Sequence, residues 1–207
     1  LTGDHRTIYS IHSDSINSIQ WSIDGSQILS TSHAGEATIW DSLTGEIHLQ
    51  LMSNEYHNAI PNGKWSHDGS SVYILTGEGD IIKFDAESGD QVFKISTSPV
   101  SFITNISVSP SGERIKIGGH DGETRVWDVQ QGVNLLSYEV GGFAMAEYSP
   151  DGKHILIGTS EGSFGSLQVF PTWHSTWELI DYARQHQVFR QLTAEERQRY
   201  GLPPREG

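Results

Sequence analysis

No cysteine occurs in this chain of 207 residues. That removes disulfide frameworks, thiolate zinc sites and cysteine nucleophiles at once. A cysteine-free composition fits a reducing compartment, so the expected location is cytoplasmic. Basic residues are scarce: 13 Lys and Arg face 26 Asp and Glu, a formal net charge of −13. Such a chain lacks the positive surface that phosphate backbones require, which argues against a nucleic-acid partner. No apolar run approaches the length needed to cross a bilayer, and the first residues do not read as a signal peptide. No membrane partner is expected.

Motifs for chemistry are also thin. The 10 histidines form no His-Glu-x-x-His or other closely spaced ligand pair, so no metal is expected. The glycine-rich stretches lack the Gly-Lys-Ser/Thr of a phosphate loop, so no nucleotide or other cofactor is expected. One enzyme pattern does occur: Gly158-Thr159-Ser160-Glu161-Gly162 satisfies Gly-x-Ser-x-Gly. A nucleophile elbow needs a strand, a sharp turn and a helix around that serine. Here the segment aligns with the hairpins at Thr31–Gly35 and Gly118–Gly122 and reads as strand on both sides. Ser160 is therefore not taken as catalytic.

What the chain has in abundance is a repeated phrase. Ser22-Ile23-Asp24-Gly25 leads to Trp40-Asp41, and Ser66-His67-Asp68-Gly69 leads to Phe84-Asp85. Ser109-Pro110-Ser111-Gly112 leads to Trp127-Asp128, and Ser149-Pro150-Asp151-Gly152 leads to Phe170. The turn glycines are 44, 43 and 40 residues apart, and the closing aromatics 44, 43 and 43. A period of that length marks an array of small sheets. Between the turns, apolar residues alternate as half-buried strands require: Ile19 and Trp21, Ile28 and Leu29, Ala37, Ile39 and Trp40, then Ile47, Leu49 and Leu51. Four short antiparallel strands make one blade, and a blade buries both faces only between neighbours. The fourth unit departs from the rest, with 18 residues between Gly152 and Phe170 against 15 elsewhere.

Trp40-Asp41 and Trp127-Asp128, each five residues after a hairpin glycine, resemble the signature of WD-repeat beta-propellers. The resemblance implies an all-β propeller of about four blades over residues 1–170, with repeats near 12–54, 55–97, 98–138 and 139–170. In that family a His, a Ser or Thr, an Asp and the Trp form a buried tetrad within each blade. Carried over, the first blade keeps His12, Ser30 and Trp40, with Ala34 at the Asp position. The third keeps Asp121 and Trp127, with Pro99 and Ile117 replacing His and Ser; the second has Glu78 and Phe84. No blade is expected to hold a full tetrad, so apolar stacking is expected to dominate stability. The family's partner-contacting face implies Ser15, Asn17 and His33 in the first blade, and Phe102, Thr104 and His120 in the third. Phe102 is the foremost of these, because alternation with Ile103 points it outward and aromatic anchors dominate interfaces.

The two ends differ from the repeats. Leu1-Thr2-Gly3 aligns with Leu43-Thr44-Gly45, so Ile8 to Ile11 read as an outer strand and the chain is expected to start inside a blade of a longer protein. After Pro171 the pattern becomes helical. Ser175 with Glu178 and Thr193 with Glu196 read as capping boxes, giving a short α-helical cap or interaction tail over 171–207. Charge changes at the same place: residues 1–170 hold 8 Lys and Arg against 21 Asp and Glu, whereas 171–207 hold 5 of each. The stretch from Trp177 to Arg184, with Leu192 to Arg197, resembles the C-terminus of WD-repeat regions in bacterial signalling proteins that carry TIR, caspase-like or STAND-type (NACHT) modules upstream. Together these readings point to a non-catalytic protein-interaction or ligand-sensing module of a larger bacterial signal-transduction or defence protein. Its partner would be a protein or an upstream domain of the same polypeptide. A propeller of the TolB or prolyl-oligopeptidase type serving a hydrolase is the alternative, since Ser149-Pro150-Asp151-Gly152-Lys153 also fits those repeats. A purely structural scaffold is the third reading.

Overall fold

The first two strands of a blade are joined by a turn that its own side chains build. Ser22 Oγ donates to Asp24 Oδ1 at 2.7 Å, Ser26 N donates to the same oxygen at 3.1 Å, and Gly25 adopts φ 74°. The positive φ is why glycine holds this position. Ser66, Asp68, Gly69 and Ser70 repeat the arrangement, as do Ser149, Asp151 and Gly152. A second device follows the closing aromatic in the first three blades. Asp41 Oδ1 accepts from the backbone N–H groups of Leu43 and Thr44, Asp85 from Glu87 and Ser88, and Asp128 from Gln131. The Asp of the Trp-Asp pair is thus a turn-former that sends the chain into the outer strand.

The computed structural model describes residues 10–52, 60, 62–97, 103–119, 121–161 and 164–173. Among them are fifteen strands in four antiparallel sheets and no helix. Blade 1 runs β1 (Ile16–Trp21), β2 (Gln27–Ser32), β3 (Ala37–Asp41) and β4 (Ile47–Met52). Blade 2 runs β5 (Asn62–Trp65), β6 (Ser71–Leu75), β7 (Asp80–Asp85) and β8 (Gln91–Ser96). Blade 3 runs β9 (Ile103–Val108), β10 (Arg114–Gly119), β11 (Glu123–Asp128) and β12 (Val133–Glu139). Blade 4 has three strands among the described residues: β13 (Phe143–Tyr148), β14 (His154–Glu161) and β15 (Phe164–Pro171). Every sheet is an up-and-down meander, and the first strands β1, β5, β9 and β13 pack side by side in that order. This is a four-bladed WD-repeat propeller arrangement.

The core is three apolar layers, one between each pair of blades. Leu29 and Ile39 of blade 1 meet Trp65, Ile74 and Phe84 of blade 2. Tyr73, Leu75 and Ile81 of blade 2 meet Ile106, Ile115 and Ile117 of blade 3. Val126 of blade 3 meets Ala146, Tyr148, Ile155 and Ile157 of blade 4. Strand alternation explains the pattern, since neighbouring residues of one strand serve opposite layers. Glycine permits the closest approaches: a Cβ on Gly118 would lie 2.5 Å from Ala144 O of the next blade.

Two compact units divide the chain, Leu1–Phe170 and Pro171–Gly207. The helical reading of 171–207 falls outside the described residues, apart from Pro171–Trp173, which are not helical. The outer strand read at Ile8 to Ile11 is not formed at Ser10 and Ile11, where the backbone is irregular. Blade 4 departs from the others in sequence after its closing aromatic. Phe170 is followed by Pro171, so the carboxylate that turns the other blades into their fourth strand is missing. Ser160 lies in β14 opposite Phe143 of β13, which is sheet and not an elbow.

Candidate functional site

Blade 1 carries the best-connected polar cluster. His12 Nε2 lies 2.6 Å from Ser30 Oγ, and Trp40 Nε1 donates to the same oxygen at 3.0 Å. His12 Nδ1 lies 3.0 Å from Glu36 Oε2. Ser32 Oγ also donates to Glu36 Oε2, and Ser13 binds the carboxylate through both its N–H and its Oγ. The consistent proton assignment has His12 Nδ1–H donating to Glu36 and Ser30 O–H donating to His12 Nε2. Partial burial works against the ionised Glu36, but the hydrogen bonds from Ser13, Ser32 and His12 outweigh it and hold the carboxyl below its ordinary range. The acid expected at position 34, where Ala34 stands, is therefore supplied two residues later by Glu36. Blade 1 has a closed network of four after all.

Serine, histidine and carboxylate stand here in the order of a hydrolase triad. Ser30 is nevertheless only 1% exposed, and its oxygen already accepts the Trp40 N–H. A nucleophile must reach a substrate carbonyl, and this hydroxyl faces the blade interior. The network ties the hairpin between β2 and β3 to the segment entering β1.

That tie places a small exposed face. His33 N donates to Ser15 O at 2.9 Å, so these two exposed residues sit side by side at the entry to β1. Asn17, also expected to contact a partner, is exposed at the start of β1. Its Nδ2 donates to Ile60 O at 3.1 Å, and Ile60 N donates to Ser32 O. Of the third-blade set, Phe102 and His120 fall outside the described residues, and of Thr104 only the backbone in β9 is described. Asp121 and Trp127 do not share a network. Asp121 Oδ2 pairs with Arg125 at 2.8 Å, and Trp127 Nε1 is buried without a hydrogen-bond partner among the described residues. Ile117 stands at the serine position and offers the Trp127 N–H no acceptor.

The opposite end of the first strands holds a cavity of about 390 Å³, lined by Trp21, Ile23, Trp65, His67, Pro110 and Pro150 among others. Between blades 3 and 4 is a residue that no sequence motif singles out. Lys116 is fully buried, its Nζ makes no hydrogen bond among the described residues, and it lies 4.4 Å from the centroid of the Tyr148 ring. Burial lowers its pKa to about 7, against a smaller opposing pull from Glu147. A signal for it does exist, because Lys116 occupies the repeat position held by Leu29 and Tyr73, four residues after the turn glycine. Among the described residues no group of three or more His, Asp or Glu side chains could hold a metal ion.

The sequence of residues 18–190 matches the family described as "Eukaryotic translation initiation factor eIF2A". The chain belongs to that family. Its relatives include the eukaryotic translation initiation factor 3 subunit I of Phaeosphaeria nodorum, 25% identical over 118 residues, covering 56% of this chain and 34% of that protein. The WD repeat-containing protein WDS homolog of Arabidopsis thaliana is 22% identical over 153 residues, covering 72% of this chain and 29% of that one. The serine-threonine kinase receptor-associated protein of Mus musculus is 25% identical over 174 residues, covering 82% of this chain and 47% of that one. The chain spans less than half the length of each of these relatives. Sequence relatives and blade geometry agree on a WD-repeat propeller.

Proposed function

We propose that this propeller is a non-catalytic recognition module that binds a protein through the entry face around Ser15 and His33. The observation that carries this reading is the closed network of His12, Glu36, Ser30 and Trp40, which fixes that exposed hairpin against the start of β1. A preorganised surface lowers the ordering cost of association. The names of the relatives range from an initiation-factor subunit to a kinase-receptor-associated protein, so what they share with this chain is the propeller as a binding frame. Residues 1–170 hold all of the excess negative charge, which favours a partner with a basic surface.

In this proposal the propeller acts in the cytoplasm as part of a larger signal-transduction or defence protein of the bacterial kind. Binding at the entry face biases an effector borne on the same polypeptide or bound to it. Support comes from the ending at 177–197, which resembles the ends of such WD-repeat regions. The test is a paired affinity purification. Ser15→Arg with His33→Glu is expected to lose the protein retained by the unaltered chain while thermal unfolding stays within a few degrees. Retention by that double variant, with loss instead in a His67→Glu chain, would move recognition to the opposite end.

A further inference from the structure

The cavity at the far end of the first strands has a polarity that the entry face does not use. Trp65 and Tyr148, at matching positions of β5 and β13, give it aromatic walls, and Pro110 and Pro150 stand at its rim. At about 390 Å³ it falls within the range of small-molecule sites, roughly 300–1,000 Å³.

Its ionic groups stand on different walls. Lys64 of β5 lines one side, half-buried, and makes no ion pair or side-chain hydrogen bond among the described residues. Gln20, which also lines the cavity, accepts the Trp65 N–H on its Oε1 at 2.9 Å, so its Nε2 group remains as a further donor. Glu147 of β13 lines the other side, and Ser107 Oγ donates to its Oε1 at 2.9 Å. That bond occupies one carboxylate oxygen and leaves Oε2 to accept from a ligand. Lys64 and Glu147 share one repeat position, just before Trp65 and Tyr148, but they do not pair, because β9 of blade 3 lies between their strands.

These walls select an occupant. A cation on one side and an anion on the other call for a ligand with both charges. Such a ligand is neutral overall and escapes the repulsion that a chain of net charge −13 exerts on anions. Its charges must be held apart, which a peptide backbone does at about 3.3–3.6 Å per residue. Aromatic and proline surface between the charges suits an aromatic side chain. We propose that this cavity binds a short zwitterionic peptide, a di- or tripeptide with an aromatic side chain. Its C-terminal carboxylate meets Lys64 and Gln20 Nε2, its N-terminal ammonium meets Glu147, and its ring packs against Trp65 and the two prolines. The site is separate from the entry face around Ser15 and His33, so the propeller reads a small ligand at one end and a protein at the other.

Titration calorimetry of the 207-residue chain with phenylalanyl-alanine, and with its N-acetylated and C-amidated forms, tests this. Saturable binding of the free dipeptide is expected. Either cap is expected to weaken it about tenfold or more, since each removes one charge-assisted contact. Lys64→Met is expected to bind the free and amidated forms equally while still preferring the free amine. Glu147→Gln is expected to lose the preference for the free amine and keep that for the free carboxylate. No saturable heat up to about 10 mM dipeptide overturns the proposal. Equal affinity for the free and capped forms on the unaltered chain overturns it as well, with no variant needing to fold. Preferences unchanged in both variants place the peptide away from this cavity, and a change in only one overturns the two-wall arrangement. None of these results alters what is expected of protein retention at Ser15 and His33.

Discussion

Ser30 shows how one hydroxyl can hold a blade. It is the shared oxygen between His12 and Trp40, lying within hydrogen-bond distance of a ring nitrogen of each. Ser30→Ala removes the oxygen that His12 and Trp40 share in a buried setting, where an unsatisfied polar group costs about 1–3 kcal/mol. A urea titration is expected to show a loss in that range for Ser30→Ala, whereas Ile117→Val in the third blade falls below it. Legibility from sequence is uneven at this scale. His12, Ser30 and Trp40 are legible through the resemblance to WD-repeat blades, whose tetrad positions they match. Glu36 escapes the pattern because a longer side chain, set two residues further along, reaches the same point as the expected aspartate. Asn17 is legible as exposed, but its tie to the Ile60 carbonyl depends on a segment 43 residues away.

Strands and turns are far more legible than the roles of single side chains. The Ser-x-x-Gly phrase and the closing aromatics place all four blades, because the turn chemistry of Asp24, Asp68 and Asp151 is local. The pattern does not reveal the spacing between blades, which depends on groups meeting across a layer. Gly118 is such a group: Gly118→Ala forces a methyl to 2.5 Å from the Ala144 carbonyl, so the blades must part. Overpacking of this kind costs about 1–3 kcal/mol, and chemical denaturation is expected to register it. Lys116 lies in the same layer and makes it sensitive to pH. In the unfolded chain this amine keeps its proton to about pH 10.4, whereas burial lowers the folded value to about 7. Between those values folding releases a proton, so the wild-type chain gains stability as pH rises through that window. Glu147, Tyr148, Tyr138 and Arg114 are the charged or titratable groups that bear on this layer. Lys116→Met removes the proton release. Its advantage over wild type is expected to be largest at or below about pH 7 and to shrink toward about pH 10, as thermal midpoints measured across that range will show.

Across the whole molecule, three complete apolar layers separate four blades, and the polar network of blade 1 sits at one end of the row. That arrangement gives a rigid frame with exposed edges, and the entry face around Ser15 and His33 is the edge its own network holds most firmly. The central claim is that recognition occurs there. A photo-crosslinking residue at position 33, compared with one at the exposed position 111 on the opposite turns, tests it most directly. A discrete protein adduct from position 33 with none from position 111 is the predicted result. An adduct from position 111 alone, or equal yields from both, would contradict the account.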